Sequence, residues 1–147
     1  DQRAKLAEYP IVPLKSQDYP EVAALWKSSL DIYSTLLPQE TEFAEYCEKQ
    51  QVIGVRLPDG TAGAVIMVIP KGKTGFMQHL VVSTKLRGLG MGRTLFCGAT
   101  EYLLTKGGAD KVNFWVDEEN IHAIAIYQKM GYIYDGVISR QFLLGEK

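Results

Sequence analysis

Arg87-Gly88-Leu89-Gly90-Met91-Gly92 follows the apolar run Leu80-Val81-Val82-Ser83 directly and precedes a stretch with helical periodicity. Three glycines between a strand and a helix let the backbone turn tightly and bring several N–H groups close to a ligand. The helix N-terminus behind them adds unpaired donors and the positive end of the dipole. A phosphate or pyrophosphate is the natural guest of such a loop.

With 147 residues and ordinary globular composition, the chain is expected to form one domain, residues 1–147, able to bury its own core. A formal net charge of −1 gives no electrostatic case for nucleic acid or an anionic membrane as partner. The longest apolar stretch, residues 62–70, is far too short to span a bilayer, and residues 1–5 lack the apolar core of a signal peptide. The two cysteines, Cys47 and Cys97, fall in helix-like segments and read as buried, reduced thiols of a cytoplasmic protein. No Cys/His cluster has metal-ligand spacing, so no metal is expected.

The order of elements is α+β. Residues 9–14 read as an edge strand, since prolines disfavour a central position. Helical spacing follows over residues 18–30, through Val22, Leu25 and Trp26, with Ser16 or Asp18 as a possible cap. A shorter helix follows Pro38 through Phe43, Tyr46 and Cys47. Strand signals over residues 51–57, 61–70 and 74–83, punctuated by Pro58-Asp59-Gly60 and Lys71-Gly72-Lys73, predict an antiparallel meander. The glycine loop leads into a helix over residues 94–106, stopped by Gly107-Gly108. A strand at 111–116, a helix at 120–130 and one or two strands within 132–144 complete the chain.

Two familiar glycine loops do not match. A P-loop needs Gly-x-x-x-x-Gly-Lys-Ser/Thr, but Arg87 replaces its first glycine and Arg93 its lysine. A dinucleotide fold wants Gly-x-Gly-x-x-Gly, and an acid about 20 residues on, closing the next strand. Here the spacing is Gly-x-Gly-x-Gly, and Asp117 and Glu118 come late. By contrast, Arg87-x-x-Gly90-x-Gly92 after Leu80-Val81-Val82 resembles the acyl-CoA pyrophosphate loop of the GNAT-type N-acetyltransferases. Asn120-x-x-Ala123-Ile124-x-x-Tyr127-x-x-x-Gly131-Tyr132 resembles their second signature, in the expected order. The resemblance covers nearly the whole chain. It implies a mixed, largely antiparallel sheet of six to seven strands flanked by about four helices.

It also implies roles. Acetyl-CoA would be the co-substrate, its pyrophosphate cradled by the N–H groups of Gly88, Leu89, Gly90, Met91 and Gly92, with Arg87 and Arg93 adding positive charge. A β-carbon at Gly90 or Gly92 would intrude on the phosphates; the alternative is that these glycines merely open a helix. The family's strand before the loop carries a bulge and splays from the strand after it, so the pantetheine arm would enter a slot between residues 80–82 and 112–116 and pair with the main chain of Leu80 and Val82. The Val82 N–H would then point at the thioester carbonyl, where it could stabilise an oxyanion. Tyr127 would donate to the departing thiolate, unless it is a core tyrosine with its hydroxyl in solvent. Asn120 reads equally as a cofactor ligand and a helix N-cap. Gly131 is expected to end its helix.

A general base is less legible. A primary amine of pKa about 10.4 is mostly protonated at pH 7, and many relatives keep a glutamate on the strand before the loop. Here that strand has no carboxylate, and His79 is the residue with a suitable pKa, although a structural histidine reads as well. Strict alternation groups His79 with Met77 and Val81, and Gln78 with Leu80 and Val82, unless a bulge intervenes. His122 is a weaker candidate. The family's acceptor site maps onto residues 31–37 and the final hairpin, where Asp31, Tyr33 and Tyr134 could bind a cationic amine. Asp117, Glu118 and Glu119 read as acids favouring a helix N-terminus. The expectation is a cytoplasmic N-acetyltransferase acting on a small-molecule or peptide amine by direct attack, with homodimers common among such proteins. The alternative is a non-catalytic acyl-CoA sensor.

Overall fold

Short turns and a repeated apolar strand pattern set the architecture. The computed structural model describes residues 2–29, 37–114 and 121–132, which fall in two compact units, Asp1–Phe114 and Trp115–Lys147. The first unit opens with a helix, α1 (Gln2–Leu6), that the sequence did not announce, and the short strand β1 (Val12–Pro13). A 3-10 turn, Ser16–Asp18, leads into α2 (Tyr19–Ser29), and α3 (Glu40–Glu48) follows. Next come β2 (Val52–Arg56), β3 (Ala62–Lys71) and β4 (Thr74–Val82), then a 3-10 turn, Thr84–Leu86. Helix α4 (Met91–Thr105) and strand β5 (Lys111–Phe114) complete the unit.

The strands form one open sheet in the order β1-β2-β3-β4-β5. The first three pairings are antiparallel and β4–β5 is parallel, the mixed pattern expected. Strand β3 is the centre, buried over its first seven residues, as its unbroken apolar run requires. Val65 and Met67 face a cluster with Val22 and Trp26 of α2 and Phe43 of α3. Helix α4 covers the opposite face, packed on β3 and β4.

The described residues hold five strands and five α-helices, where six to seven strands and about four helices were expected. The extra helix is α1; the final one or two strands, expected within 132–144, lie outside the described residues from 133 onward. The proposed cap also needs correction. Asp18 ends the 3-10 turn, and its carboxylate accepts from the Lys15 N–H (2.7 Å) and from Arg56 (2.8 and 2.9 Å). A charged partner outcompetes the amides of α2 for its oxygens. Both cysteines are free, but Cys97 is exposed on α4, contrary to the expectation of burial. The apolar face of α4, Leu95, Phe96, Ala99 and Leu103, turns Cys97 outward.

In the second unit, α5 (Ile121–Lys129) ends as its glycine predicts. Gly131 has φ 98°, the Tyr132 N–H donates to the Tyr127 carbonyl (3.1 Å), and the Gly131 N–H donates to Gln128 (3.0 Å). That pair of bonds is a Schellman motif.

Candidate functional site

Strand β4 changes face midway. Met77 lies toward α4, its sulfur 3.6 Å from the Thr100 hydroxyl. Val81, four residues on, belongs instead to the cluster with Trp26 and Phe43 on the α2 side. An intact strand would keep both on one face. The cause is a β-bulge: Met67 pairs with Gln78 and Val65 with Val81, so Ile66 alone stands opposite His79 and Leu80. His79 has φ 57°, a left-handed conformation that such bulges usually give to glycine. The alternation expected from the sequence is therefore corrected. His79 lies with Val81 on the α2 side, apart from Met77, and Val82 returns to the α4 side.

The His79 ring is half-buried with its centroid 5.6 Å from that of Trp26, at 67°. Burial holds the imidazole below its ordinary pKa, so it is neutral and able to accept a proton at pH 7. The His79 carbonyl accepts the Trp26 indole N–H at 2.8 Å. The sequence places Trp26 only on the apolar face of a helix, and nothing local marks its N–H as a donor to β4.

Beyond the bulge, the Ser83 N–H donates to the Gly63 carbonyl of β3 at 2.8 Å. Since successive residues of a strand point their backbone groups to opposite edges, the Val82 N–H and C=O face away from β3. On that edge β4 pairs with β5 only as far as Met77↔Phe114 among the described residues. Among the described residues the N–H of Val82 thus opens beside the start of the glycine loop.

The loop begins where Ser83 accepts the Lys85 N–H (3.2 Å) and buried Leu86 anchors the 3-10 turn. Gly88 (φ 83°) and Gly90 (φ 77°) are both left-handed, which explains why side chains are unwelcome there. Buried Met91 starts α4, and the first helical bond runs from Thr94 N–H to the Gly90 carbonyl (3.1 Å). Helix geometry leaves the amides of Met91, Gly92 and Arg93 without an i−4 acceptor. The first turn carries no acid, and Arg87 and Arg93 are exposed around it. Gly92 is different: its φ is not positive, and among the described residues a β-carbon there would meet only Val82 Cγ2, at 3.8 Å. Neither backbone conformation nor packing among the described residues demands glycine at 92, yet helix stability disfavours it.

On α5, Tyr127 is half-buried and burial raises its phenol pKa, keeping it protonated at neutral pH. Asn120, Asp31, Tyr33, Tyr134, Asp117, Glu118 and Glu119 lie outside the described residues, as does the side chain of His122. Leu37, the last residue of the segment expected to wall the acceptor site, lines a cavity of about 210 Å³ with Tyr19, Ala23, Trp26, Lys27, Pro38 and Gln39. The Cys47 thiol is pushed up to about 11, by burial first and by the Asp18 carboxylate next, and is no nucleophile at pH 7. Among the described residues no group of three or more His, Cys, Asp or Glu could hold a metal ion, and no helix is long and apolar enough to cross a membrane.

Residues 13–132 match the model of the acetyltransferase (GNAT) family. An uncharacterized N-acetyltransferase of Bacillus subtilis, YvbK, is 27% identical over 105 residues, covering 69% of this chain and 67% of that protein. A mycothiol acetyltransferase of Salinispora arenicola is 33% identical over 60 residues, 41% of this chain. The chain spans about a fifth of the length of that relative, 20%. Among solved structures, Ard1 of Thermoplasma volcanium superimposes with a TM-score of 0.73 at 17% identity, covering 87% of this chain and 84% of that one. Glucosamine-6-phosphate N-acetyltransferase of Arabidopsis thaliana gives 0.66 at 18%, covering 89% and 95%. At such identities these two establish the fold alone, an α+β sheet of the same type.

Proposed function

The chain belongs to the GNAT acetyltransferase family, and from that premise we propose that residues 1–147 act as one domain moving an acetyl group from acetyl-CoA to a primary amine. The observation that carries this reading is the juxtaposition of an outward-facing Val82 N–H with a glycine loop kept open at Gly92. In this reading the amides of residues 88–92, with Arg87 and Arg93, hold the pyrophosphate at the N-terminus of α4. Leu80 and Val82 hold the pantetheine arm along the outer edge of β4, beyond its pairing with β5, and Asn120 adds a hydrogen bond to the cofactor.

The chemistry follows from charge. His79 takes a proton from the incoming ammonium, directly or through water, and the neutral amine attacks the thioester carbon. The carbonyl oxygen becomes negative, and the Val82 N–H stabilises it; one such donor is worth about 3–4 kcal/mol. The zwitterionic intermediate loses its second N–H proton to solvent and collapses to the amide; the C–S bond breaks, and the Tyr127 phenol gives its proton to the leaving sulfur. No acetyl-enzyme forms, since Cys47 is held protonated and the amine reaches the thioester itself. Asp31, Tyr33 and Tyr134 wall the acceptor. Free cysteines suit a reducing cytoplasm.

The test is calorimetric titration with acetyl-CoA, CoA and NADH, followed by thiol release across a panel of amines and peptides. Binding of the two CoA species alone, with release on one acceptor class, is the expected result. Binding without consumption would make the chain a sensor, and no binding of CoA would remove the loop assignment.

A further inference from the structure

Strand β4 bends at a residue poorly suited to the bend. A left-handed backbone is strained for a non-glycine residue, and the bulge takes His79 out of the regular β3–β4 register, leaving its carbonyl in need of a partner. That partner comes from another element. Trp26, fully buried on α2, donates its indole N–H to the His79 carbonyl at 2.8 Å. The indole has no freedom to leave: the His79 ring meets it at 67° and Phe43 at 78°, with centroids 5.6 and 6.1 Å away. One side chain thus holds the bulge by its carbonyl and its imidazole at once. Everything the bulge decides lies within three residues of that contact, including the edge to which Val82 turns its N–H and the face on which the imidazole sits.

We infer that Trp26 is a positioning residue for acetyl transfer, its indole N–H pinning the β4 bulge so that the Val82 amide and the His79 imidazole keep their places at the reacting centre. This rests on the proposed function above. A tryptophan serving only as core filler would need its ring and not its N–H. Loss of the N–H should therefore lower turnover and largely spare acetyl-CoA binding, which rests mainly on the pyrophosphate contacts of the glycine loop at the end of the strand.

Two variants remove the donor: Trp26→Phe, and replacement of Trp26 by benzothienylalanine, which keeps the bicyclic shape and carries sulfur in place of N–H. The second decides the matter if the first does not fold. Val52→Ala, in the same core cluster but on β2, serves as a destabilised control. The expected result is kcat about 10- to 100-fold lower in the Trp26 variants, the scale of a small misplacement of reacting groups. Their Kd for acetyl-CoA should stay within about two-fold, and Val52→Ala should keep kcat despite its lower Tm. Unchanged kcat in a folded Trp26 variant overturns the inference and leaves the proposed function standing. Equal loss of kcat in Val52→Ala also overturns it, because general loosening would then suffice. A wild-type protein that binds acetyl-CoA and acetylates no amine removes the proposed function, and the inference with it.

Discussion

His79 occupies a backbone position where glycine would be cheaper, so its side chain has to be what recommends it. Burial disfavours the charged imidazole, and the folded-state pKa lies below the ordinary value. The free base therefore persists through neutral pH. Its contribution to stability is complete above the unfolded pKa of about 6.5 and is lost as pH falls through the folded one. If His79 is the base, kcat/KM falls on the acid side with a midpoint below about 6.5. His79→Asn retains a residue that tolerates positive φ but removes the base. At pH 7 its kcat/KM should drop by about 100-fold, and the acid limb should vanish. A variant with wild-type turnover and an intact limb would return His79 to a structural role. Tyr127 is tested separately, since its raised pKa makes it a proton donor and not a base. Tyr127→Phe should lower kcat by about 10-fold or more while the acetyl-CoA Kd barely changes; equal turnover would take the phenol out of the reaction.

At the scale of elements, the first turn of α4 carries a residue that serves the helix badly. Gly92 is helical, uncrowded and not left-handed, so alanine fits the protein without strain. Gly92→Ala should leave Tm unchanged or raise it, by up to about 1 kcal/mol of stability. Acetyl-CoA affinity should nevertheless fall by about 10-fold or more, because the new methyl group occupies the approach to the first-turn amides. Falling stability with intact affinity would mean the glycine serves packing. This loop was legible in the sequence because glycine, strand and helix signals are all local. The meander and α2 to α5 were legible for the same reason, their edges moving by a few residues at most. The bulge was expected only through the family resemblance, and its place was not legible: the donor that meets it lies on α2, 53 residues from His79, and no short window of sequence holds both. Parity along β4 failed with it, although the sequence had marked His79 itself. Helix α1 escaped because five residues carry too little periodicity to read.

Across the molecule, the first unit is fastened where α2 meets the β2–β3 hairpin, and α2 is the helix that carries Trp26. Asp18 is held there by both guanidinium nitrogens of Arg56, which also donates to the Gly60 carbonyl (3.0 Å). A few residues on, Glu21 accepts the Ala62 N–H (2.9 Å), tying α2 to the start of β3. The Arg56 hydrogen bonds, more than the Lys15 amide, hold the Asp18 carboxyl below its ordinary pKa. Folding therefore gains from this pair fully above the unfolded carboxylate pKa of about 3.9, and loses it as pH falls through the lower folded value. Arg56→Gln leaves a carboxylate that is 7% exposed without its cation. A fully buried pair broken this way costs about 3–5 kcal/mol, and a guanidinium partly in solvent brings the figure nearer 2. In the variant, burial raises the Asp18 pKa instead, so acid relieves it by protonation before the wild-type pair loses its own advantage below about 3.9. Urea unfolding should thus show a gap of about 2 kcal/mol at pH 7 that narrows steadily toward pH 4. A gap independent of pH would assign the loss to packing of the Arg56 stem and not to its charge. Acetyl transfer at 25 °C should survive in the variant, because the Trp26 donor and the glycine loop are untouched as long as the unit stays folded.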